Sequence, residues 1–435
     1  MAGKTSTSGG RAGSQRGRHD AAPSKATAAA KTRVAHPKKP ARGRSKTDAA
    51  APVRGAKAKP RARGTASRSG KQSARAPHAG QASQSKPKAL PINPFVALLG
   101  SLKRDVERRL EEIFEAELER ARGLGSDTSE MVLACRDLCL RGGKRLRPGL
   151  VLAGFRAASA SSNTQQAIEV GVALELVQAY FLIHDDWMDR DPVRRGGPSV
   201  HAQLGRRFRS EHLGAASAIL AGDFAVALAQ RLVAALKIPP RAQAEFLTAF
   251  ANMQVDAILG QQLDLLSRSA DPEVTYSLKT ASYTVQGPLL LGALLGGARP
   301  GTLQALREFS TPAGVAFQLR DDLLGVFGTP EETGKPAGND LTAGKRTPLV
   351  LAGFRRAKGK GHRLLKRVHG NPQATPADVA RAIDVLEKCG ARAVVESRIT
   401  ELEAEARAVL QAGGMRRAGQ ELLSGAVTAL AARRN

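Results

Sequence analysis

From about residue 90 onward, apolar side chains recur at the three-to-four-residue spacing of an α-helix. In 104–122 the residues Val106, Leu110, Ile113, Phe114 and Leu118 fall on one face, and Arg and Glu fill the other. The same period predicts helices around 167–183, 215–236, 241–266, 303–324 and 399–410. No stretch of useful length alternates apolar and polar residues as a half-buried strand does, and no short repeat recurs. Gly and Pro mark loops at 192–198, 238–240, 329–338 and 370–376. The expectation is all-α: a single bundle of long helices over residues 90–435. No apolar run approaches the roughly 18–20 residues of a membrane span; the longest, 288–298, is short and rich in Gly. No signal-peptide apolar region follows Met1.

Composition changes the picture at the N-terminus. Residues 1–89 are Ala, Lys, Arg, Ser, Gly and Pro with no Phe, Tyr or Trp, too little apolar surface to offset the entropy of ordering. A disordered tail is expected there. The chain carries 67 Lys and Arg against 39 Asp and Glu, a net charge of +28. Of these, 22 basic and two acidic residues lie in 1–90, so the remaining 345 residues hold only +8. The tail reads as a polyanion-binding arm for nucleic acid or an anionic membrane surface, as a solvated extension, or as a cleaved transit peptide. Three cysteines exclude a disulfide framework and suit a reducing compartment; with no signal peptide, the expected location is cytoplasmic. Cys135 and Cys139 have no further zinc ligands nearby and read as buried thiols.

Candidate chemistry sits at two helix ends. The apolar stretch 167–183 runs into HDDWMDRD, where Asp185 and Asp189 are four apart on one face with Asp186 beside them. Like charges at that spacing repel, so a fold that keeps them together usually supplies a cation. Oxygen ligands without Cys or His suit a hard ion such as Mg²⁺. A second apolar helix ends in FQLRDDLLGVFG with Asp321 and Asp322. Facing each other, the two pairs could bridge several Mg²⁺ ions through one diphosphate.

Basic segments supply the counter-charge. RGGKRLRP carries Lys144, Arg145 and Arg147 after two glycines; RRGGPSVH carries Arg194 and Arg195; Lys279–Thr280 lies on a later helix; GKPAGNDLTAGKRT carries Lys335 and Lys345. GGK is not a nucleotide-binding P-loop, for it lacks the strand and the spacing.

Taken in order, GGKRLRP, DDWMD with RRGGPSVH, GQQLD (260–264), KTASY (279–283), and FQLRDD with GKPAGNDLTAGKRT resemble the trans-isoprenyl diphosphate synthases, or polyprenyl synthetases. The likeness runs from about Ile92 to the C-terminus. It implies a helical bundle around a central cavity, usually a homodimer, with Asp185, Asp189 and Asp321 binding three Mg²⁺ ions and Asp186 and Asp322 beside them. Isopentenyl diphosphate would meet Lys144, Arg147, Gln178 and Arg195. The allylic diphosphate would meet Arg194, Lys279, Thr280, Gln318 and Lys335, with Lys345 near the mouth. The second motif departs from the family's DDxxD, for Gly325 stands at its last position; one metal would then be held partly by water, with Asp322 or Asp340 in support. Tyr180 and Phe181, just before Asp185, would floor the pocket and limit the product to farnesyl or geranylgeranyl diphosphate. Two rivals remain at this point: a class I terpene cyclase, which needs no second diphosphate site, and an inactive partner subunit with a polyanion-binding tail.

Overall fold

The computed structural model describes residues 93–266, 271–329 and 337–431. The expected tail of residues 1–89 and its boundary with the helical domain lie outside them.

Helix α1, Pro94–Arg122, starts where Asn93 accepts from the backbone N–H groups of Phe95 (2.9 Å) and Val96 (3.3 Å) and Pro94 occupies the first turn. Every residue of the apolar stripe expected in 104–122 is buried. The Asn93 side-chain amide donates to the Gly425 carbonyl at 2.9 Å, which ties the start of α1 to the last helix, α16 (Arg417–Ala431). α2 (Ser126–Leu140) and α3 (Leu146–Ala158) follow, then α4 (Gln165–Met188). α4 is buried on nearly every side until its last turns, as an all-round apolar helix must be. α5 (Val200–Phe208), α6 (Glu211–Ala234) and α7 (Pro240–Leu266) complete the first half of the bundle. α8 (Pro272–Tyr276) passes into a π-helical segment, Ser277–Gln286, and then into α9 (Gly287–Leu295).

α10 (Pro300–Phe327) is the shared wall of two apolar clusters. Its Phe309, Ala313 and Phe317 join the main core with α1, α4 and α9. Its Leu319, Leu323 and Val326 join a second cluster. That cluster is completed by α11 (Asn339–Thr342), α12 (Pro348–Arg356), α13 (Gly359–Val368), α14 (Pro376–Lys388) and α15 (Ala391–Ala412). The aspartates of α10 therefore stand where the two clusters meet.

Three expectations need correction. A two-residue antiparallel pair, β1 (Val193–Arg194) with β2 (Gly197–Pro198), occupies the loop expected at 192–198. Its turn places Arg195 at φ 52° and Gly196 at φ 71°, the left-handed pair that a tight hairpin turn requires. Second, α4 and α6 are each long and apolar enough to span a membrane by length and composition. Their scattered polar residues break the run when it is read residue by residue, but not on average, and α4 is largely enclosed by other helices. Third, the period missed α2 and α3, which bury residues on several faces, and α5, α12 and α13, which are short; α14 has a one-sided buried stripe, Val379, Ala382 and Leu386, that its flanking charges mask. Cys135 and Cys139 are buried and free, as expected, and Cys389 is half-buried.

Because Phe114 is fully enclosed, Phe114→Ala should cost about 3–5 kcal/mol. The neighbouring exposed Glu115→Ala should stay within about 0.5 kcal/mol of the parent. Urea denaturation curves of both variants check this, and equal midpoints would refute the packing assignment.

Candidate functional site

One cleft of about 690 Å³ opens between the ends of α4, α7 and α10, the π segment and the loop before α3. Most of the residues proposed from the sequence line it: Lys144, Arg147, Gln178, Asp185, Arg194, Arg195, Lys279, Thr280, Gln318, Asp321, Asp322 and Lys345. Lys335 lies outside the described residues.

Opposite charges alternate across the cleft. The Lys279 ammonium stands 3.4 Å from Asp185 Oδ1 and 2.6 Å from Asp264 Oδ2. The Lys345 ammonium lies 4.0 Å from Asp189 Oδ2 and 3.6 Å from Asp340 Oδ1. Arg194 Nε donates to Asp186 Oδ1 at 2.6 Å, and its Nη2 reaches Asp185 Oδ2 at 3.4 Å. Burial raises the Asp185 pKa, but Lys279, Arg194 and Lys345 outweigh it and hold the carboxyl below its usual range. Lys279 is raised in turn, since Asp185 and Asp264 outweigh the cost of burial. Asp189 is raised by burial and by the negative charge of Asp185. Asp186 is fully buried and is pushed up to about 6, mainly by loss of water, against the pull of Arg194. It braces Arg194 from inside the protein.

Lys279 owes its place to a close helix contact. A Cβ on Gly260 of α7 would overlap the backbone nitrogen of Lys279, so only Gly lets α7 approach the π segment this closely. From that segment Thr280 Oγ1 donates to Gln318 Oε1 at 2.7 Å, and Tyr283 and Thr284 accept from Arg147 at 2.6 and 2.7 Å. Ten residues thus contact α3, α4, α7 and α10 at once. π-helical turns recur at functional sites because the extra residue re-aims side chains.

The second half of the cleft is crowded with cations. Arg195 donates to the carbonyls of Gly142 (3.0 Å) and Leu138 (3.3 Å), and Arg141 Nη1 donates to those of Pro198 (2.8 Å) and Arg194 (3.1 Å). These bonds fasten the hairpin turn to the loop before α3. Burial lowers the Arg195 pKa; Glu175 pulls it back, and Arg145 and Arg147 press it down again. Such a cluster is relieved by an anion. Gln178 Oε1 and Arg147 Nε are buried without a hydrogen-bond partner in the protein, as groups reserved for a polar ligand are.

Four placements differ from the sequence reading. Arg145, expected among the phosphate cations, is turned inward: it donates to Glu175 (2.6 Å), Glu107 (3.1 Å) and the Cys139 carbonyl (2.9 Å). Asp322 is buried, accepts from Tyr276 Oη and, at 3.1 Å, from Gln318 Nε2, and is pushed up to about 8 by burial first and then by Asp340 and Asp321. Tyr180 and Phe181 do not line the cleft; Phe181 packs edge-on against Tyr283 and Tyr180 against Phe181 and His184. Leu182, Tyr283 and Phe317 supply the apolar wall instead. Asp264, inside the GQQLD motif but given no role from sequence, faces Asp185 across Lys279.

Among the described residues no three acid, His or Cys groups lie close enough to enclose a metal ion by themselves. The donors that are present are carboxylate oxygens on facing elements, which suits a hard cation whose shell is completed by water and phosphate oxygens.

The family model described as polyprenyl synthetase matches residues 129–386. A geranylfarnesyl diphosphate synthase of Aeropyrum pernix is 36% identical over 282 residues, covering 62% of this chain and 83% of that one. A geranylgeranyl diphosphate synthase of Methanosarcina mazei is 34% identical over 266 residues, 60% of this chain and 77% of that one. The structure of a geranylgeranyl pyrophosphate synthase from Corynebacterium glutamicum, complexed with isoprenyl diphosphate and magnesium, superposes with a TM-score of 0.71. It is 33% identical and covers 79% of this chain and all of that one.

The Asp322 environment gives a pH signature. Its native carboxyl keeps a proton up to about 8, whereas the unfolded chain releases it near about 3.9. Between those values the native state binds more protons, so unfolding free energy falls as pH rises. In metal-free buffer the melting temperature of the parent should drop more between about pH 5 and about pH 8 than that of Asp322→Asn. Parallel profiles would show that Asp322 is ionised throughout.

Proposed function

This chain belongs to the polyprenyl synthetase family and is a trans-prenyltransferase that condenses isoprenoid diphosphates; from that premise we propose that it joins an allylic diphosphate to isopentenyl diphosphate in a Mg²⁺-dependent reaction. The observation that carries the reading is the arrangement of the cleft: aspartates from α4 and α10 on one side, and two separate sets of cations around them. A single-substrate cyclase has no use for the second set, formed by Lys144, Arg147 and Arg195 beside Gln178.

Asp185, Asp189 and Asp321 offer the oxygens for Mg²⁺, which when bound would offset the charge that gathers on the departing pyrophosphate. Arg194, Lys279, Thr280, Gln318 and Lys345 would hold that pyrophosphate, together with Lys335. For this they exchange partners. Lys279 and Lys345 would leave carboxylates for phosphate oxygens as Mg²⁺ takes the carboxylates, so that each charge keeps a partner in the complex. Lys144, Arg147, Gln178 and Arg195 orient the isopentenyl double bond toward the allylic carbon. Leu182, Phe317 and the apolar body of α4 keep water from the developing cation. The new carbon–carbon bond forms as the allylic carbon–oxygen bond breaks, and the released pyrophosphate takes the proton lost from the isopentenyl unit.

The proposed product is farnesyl or geranylgeranyl diphosphate. Phe181 packs on Tyr283 of the cleft wall with Tyr180 behind it, and this aromatic stack would close the path of a lengthening chain along α4. A homodimer is proposed from the exposed apolar side chains of α6 and α7. Leu220 on α6 and Val255, Ile258 and Leu259 on α7 are each about half exposed, an apolar face that a second copy would cover.

Purified protein incubated with Mg²⁺, dimethylallyl diphosphate and isopentenyl diphosphate should yield these products by mass spectrometry. Absence of any chain extension would overturn the reading. Tyr180→Ala and Phe181→Ala should each shift the product distribution to longer chains, and unchanged products in both would remove the aromatic floor from the account.

A further inference from the structure

We propose that the outer face of the α12–α13 hairpin is a docking surface for an anionic lipid bilayer, held by a cluster of Lys and Arg side chains from which acids are missing. The patch is separate from the cleft and does not depend on what the cleft binds.

Residues 91–435 hold 45 Lys and Arg against 37 Asp and Glu, an excess of eight. One stretch, 348–377, contains seven Lys or Arg and no acid, so the rest of that span is nearly neutral. Arg355 and Arg356 end α12, Lys358 precedes α13, and Lys360, Arg363, Lys366 and Arg367 lie on α13; all are exposed. α13 is one-sided. Its Leu365 and Val368 are buried in the second apolar cluster, and Lys360, Arg363 and Arg367 recur three and four apart on the outer side. Arg367 pairs with Asp378 at 2.9 Å, and Arg356 donates to the Cys389 carbonyl at 2.7 Å. Among the described residues the other five form no ion pair. Elsewhere the surface interleaves its charges: Arg398 alone meets Glu273, Glu401 and Glu405. Cations gathered on one face without acids repel, and an anionic partner relieves them.

Two observations select a bilayer over a nucleic acid. Phe354 is the only Phe, Tyr or Trp in 348–377, and it packs against the rings of His362 and His369. The patch therefore presents no free ring for base stacking. Clustered Lys and Arg on an amphipathic helix are sufficient for anionic headgroups. The second observation is position. Thr347 caps α12 at the cleft wall, and at the far end of α13 the ring of His369 meets the Lys345 carbonyl, Nε2 to oxygen 3.2 Å. The α12–α13 turn stands one length of α12, roughly 13 Å, from that wall. A bilayer at the patch would lie beside the cleft, and the prenyl product proposed for the cleft carries a hydrocarbon that a bilayer takes up and water does not.

Lysine acetylation of the full-length chain, read residue by residue by mass spectrometry, tests this. Vesicles of phosphatidylglycerol and phosphatidylcholine should slow the labelling of Lys358, Lys360 and Lys366 by about threefold or more. Salt at about 0.5 M should restore it, since the patch offers charge and no exposed apolar side chain. Arg355→Gln/Arg363→Gln keeps all three reporters and should regain most of the labelling, with circular dichroism confirming the fold. Neither arginine lines the cleft, so prenyl transfer by that variant should match the parent. Unchanged labelling of the three lysines on anionic vesicles, whatever the lysines of residues 1–89 do, would overturn the proposal. So would equal protection by pure phosphatidylcholine, which would remove charge as the cause. Stronger protection by a DNA duplex than by the vesicles would assign the face to nucleic acid instead. Each of these failures leaves the reading of the cleft standing, because that reading is tested by chain extension.

Discussion

Lys279, held between Asp185 and Asp264, is the contact on which the rest of the cleft depends. Carboxylates from α4, α7, α10 and α11 converge in a partly dehydrated space, where uncompensated like charge is costly. The fold meets that cost by alternation. Lys279 divides Asp185 from Asp264, Lys345 divides Asp189 from Asp340, and Arg194 covers Asp185 and Asp186. Take away the cations and the four elements could not end so close together. The apolar bodies of α4 and α10 bring the charges to one place, and the alternation makes that place tolerable.

Backbone geometry then sets the precision of the arrangement. The π segment widens the helix where it carries Lys279, Thr280, Tyr283 and Thr284, so one element addresses four neighbours. Gly260 fixes its distance from α7. On the opposite wall the hairpin turn holds Arg195 in a left-handed conformation that a non-glycine residue rarely adopts, and the carbonyls of Leu138 and Gly142 restrain it there. Arg145, buried between Glu107 and Glu175, anchors the loop that presents Lys144 and Arg147. Cations with no direct contact to substrate thus position those that would have it.

How much of this was legible in the sequence depended on where the information resides. α1 was legible because its stripe is one-sided, and α4 because its apolar run ends abruptly in aspartates. α3 and α9 were not, since helices buried on several faces lose the period that reveals them. The cations of the cleft were legible as a set because each stands in a short motif in a recognisable order. Arg145 was misjudged for the same reason. Placed between Lys144 and Arg147 it looks like a third phosphate ligand, and only the fold shows Glu175 and Glu107 beneath it. Asp264 received no role because a lone acid in GQQLD carries no local signal; its meaning comes from Lys279, fifteen positions away. The Tyr180–Phe181 pair was legible as aromatic bulk before Asp185, but its orientation toward Tyr283 and His184 depends on α6 and the π segment.

On the proposed reading, the same alternation constrains how ligands enter. A diphosphate arriving alone would draw Lys279, Lys345 and Arg194 from their carboxylates and leave several partly buried acids unpaired. A divalent cation arriving alone would be drawn to carboxylates that already hold ammonium groups and would crowd positive charge around them. Arriving together, the cation takes the carboxylates and the diphosphate takes the lysines and arginines, and every charge keeps a partner. On that reading each side chain has two sets of partners: the carboxylates that pair with Lys279 and Lys345 would take the divalent cation, and the lysines would pass to phosphate oxygens. A cleft built this way would favour the complex over either component, because the exchange is balanced only when both are present.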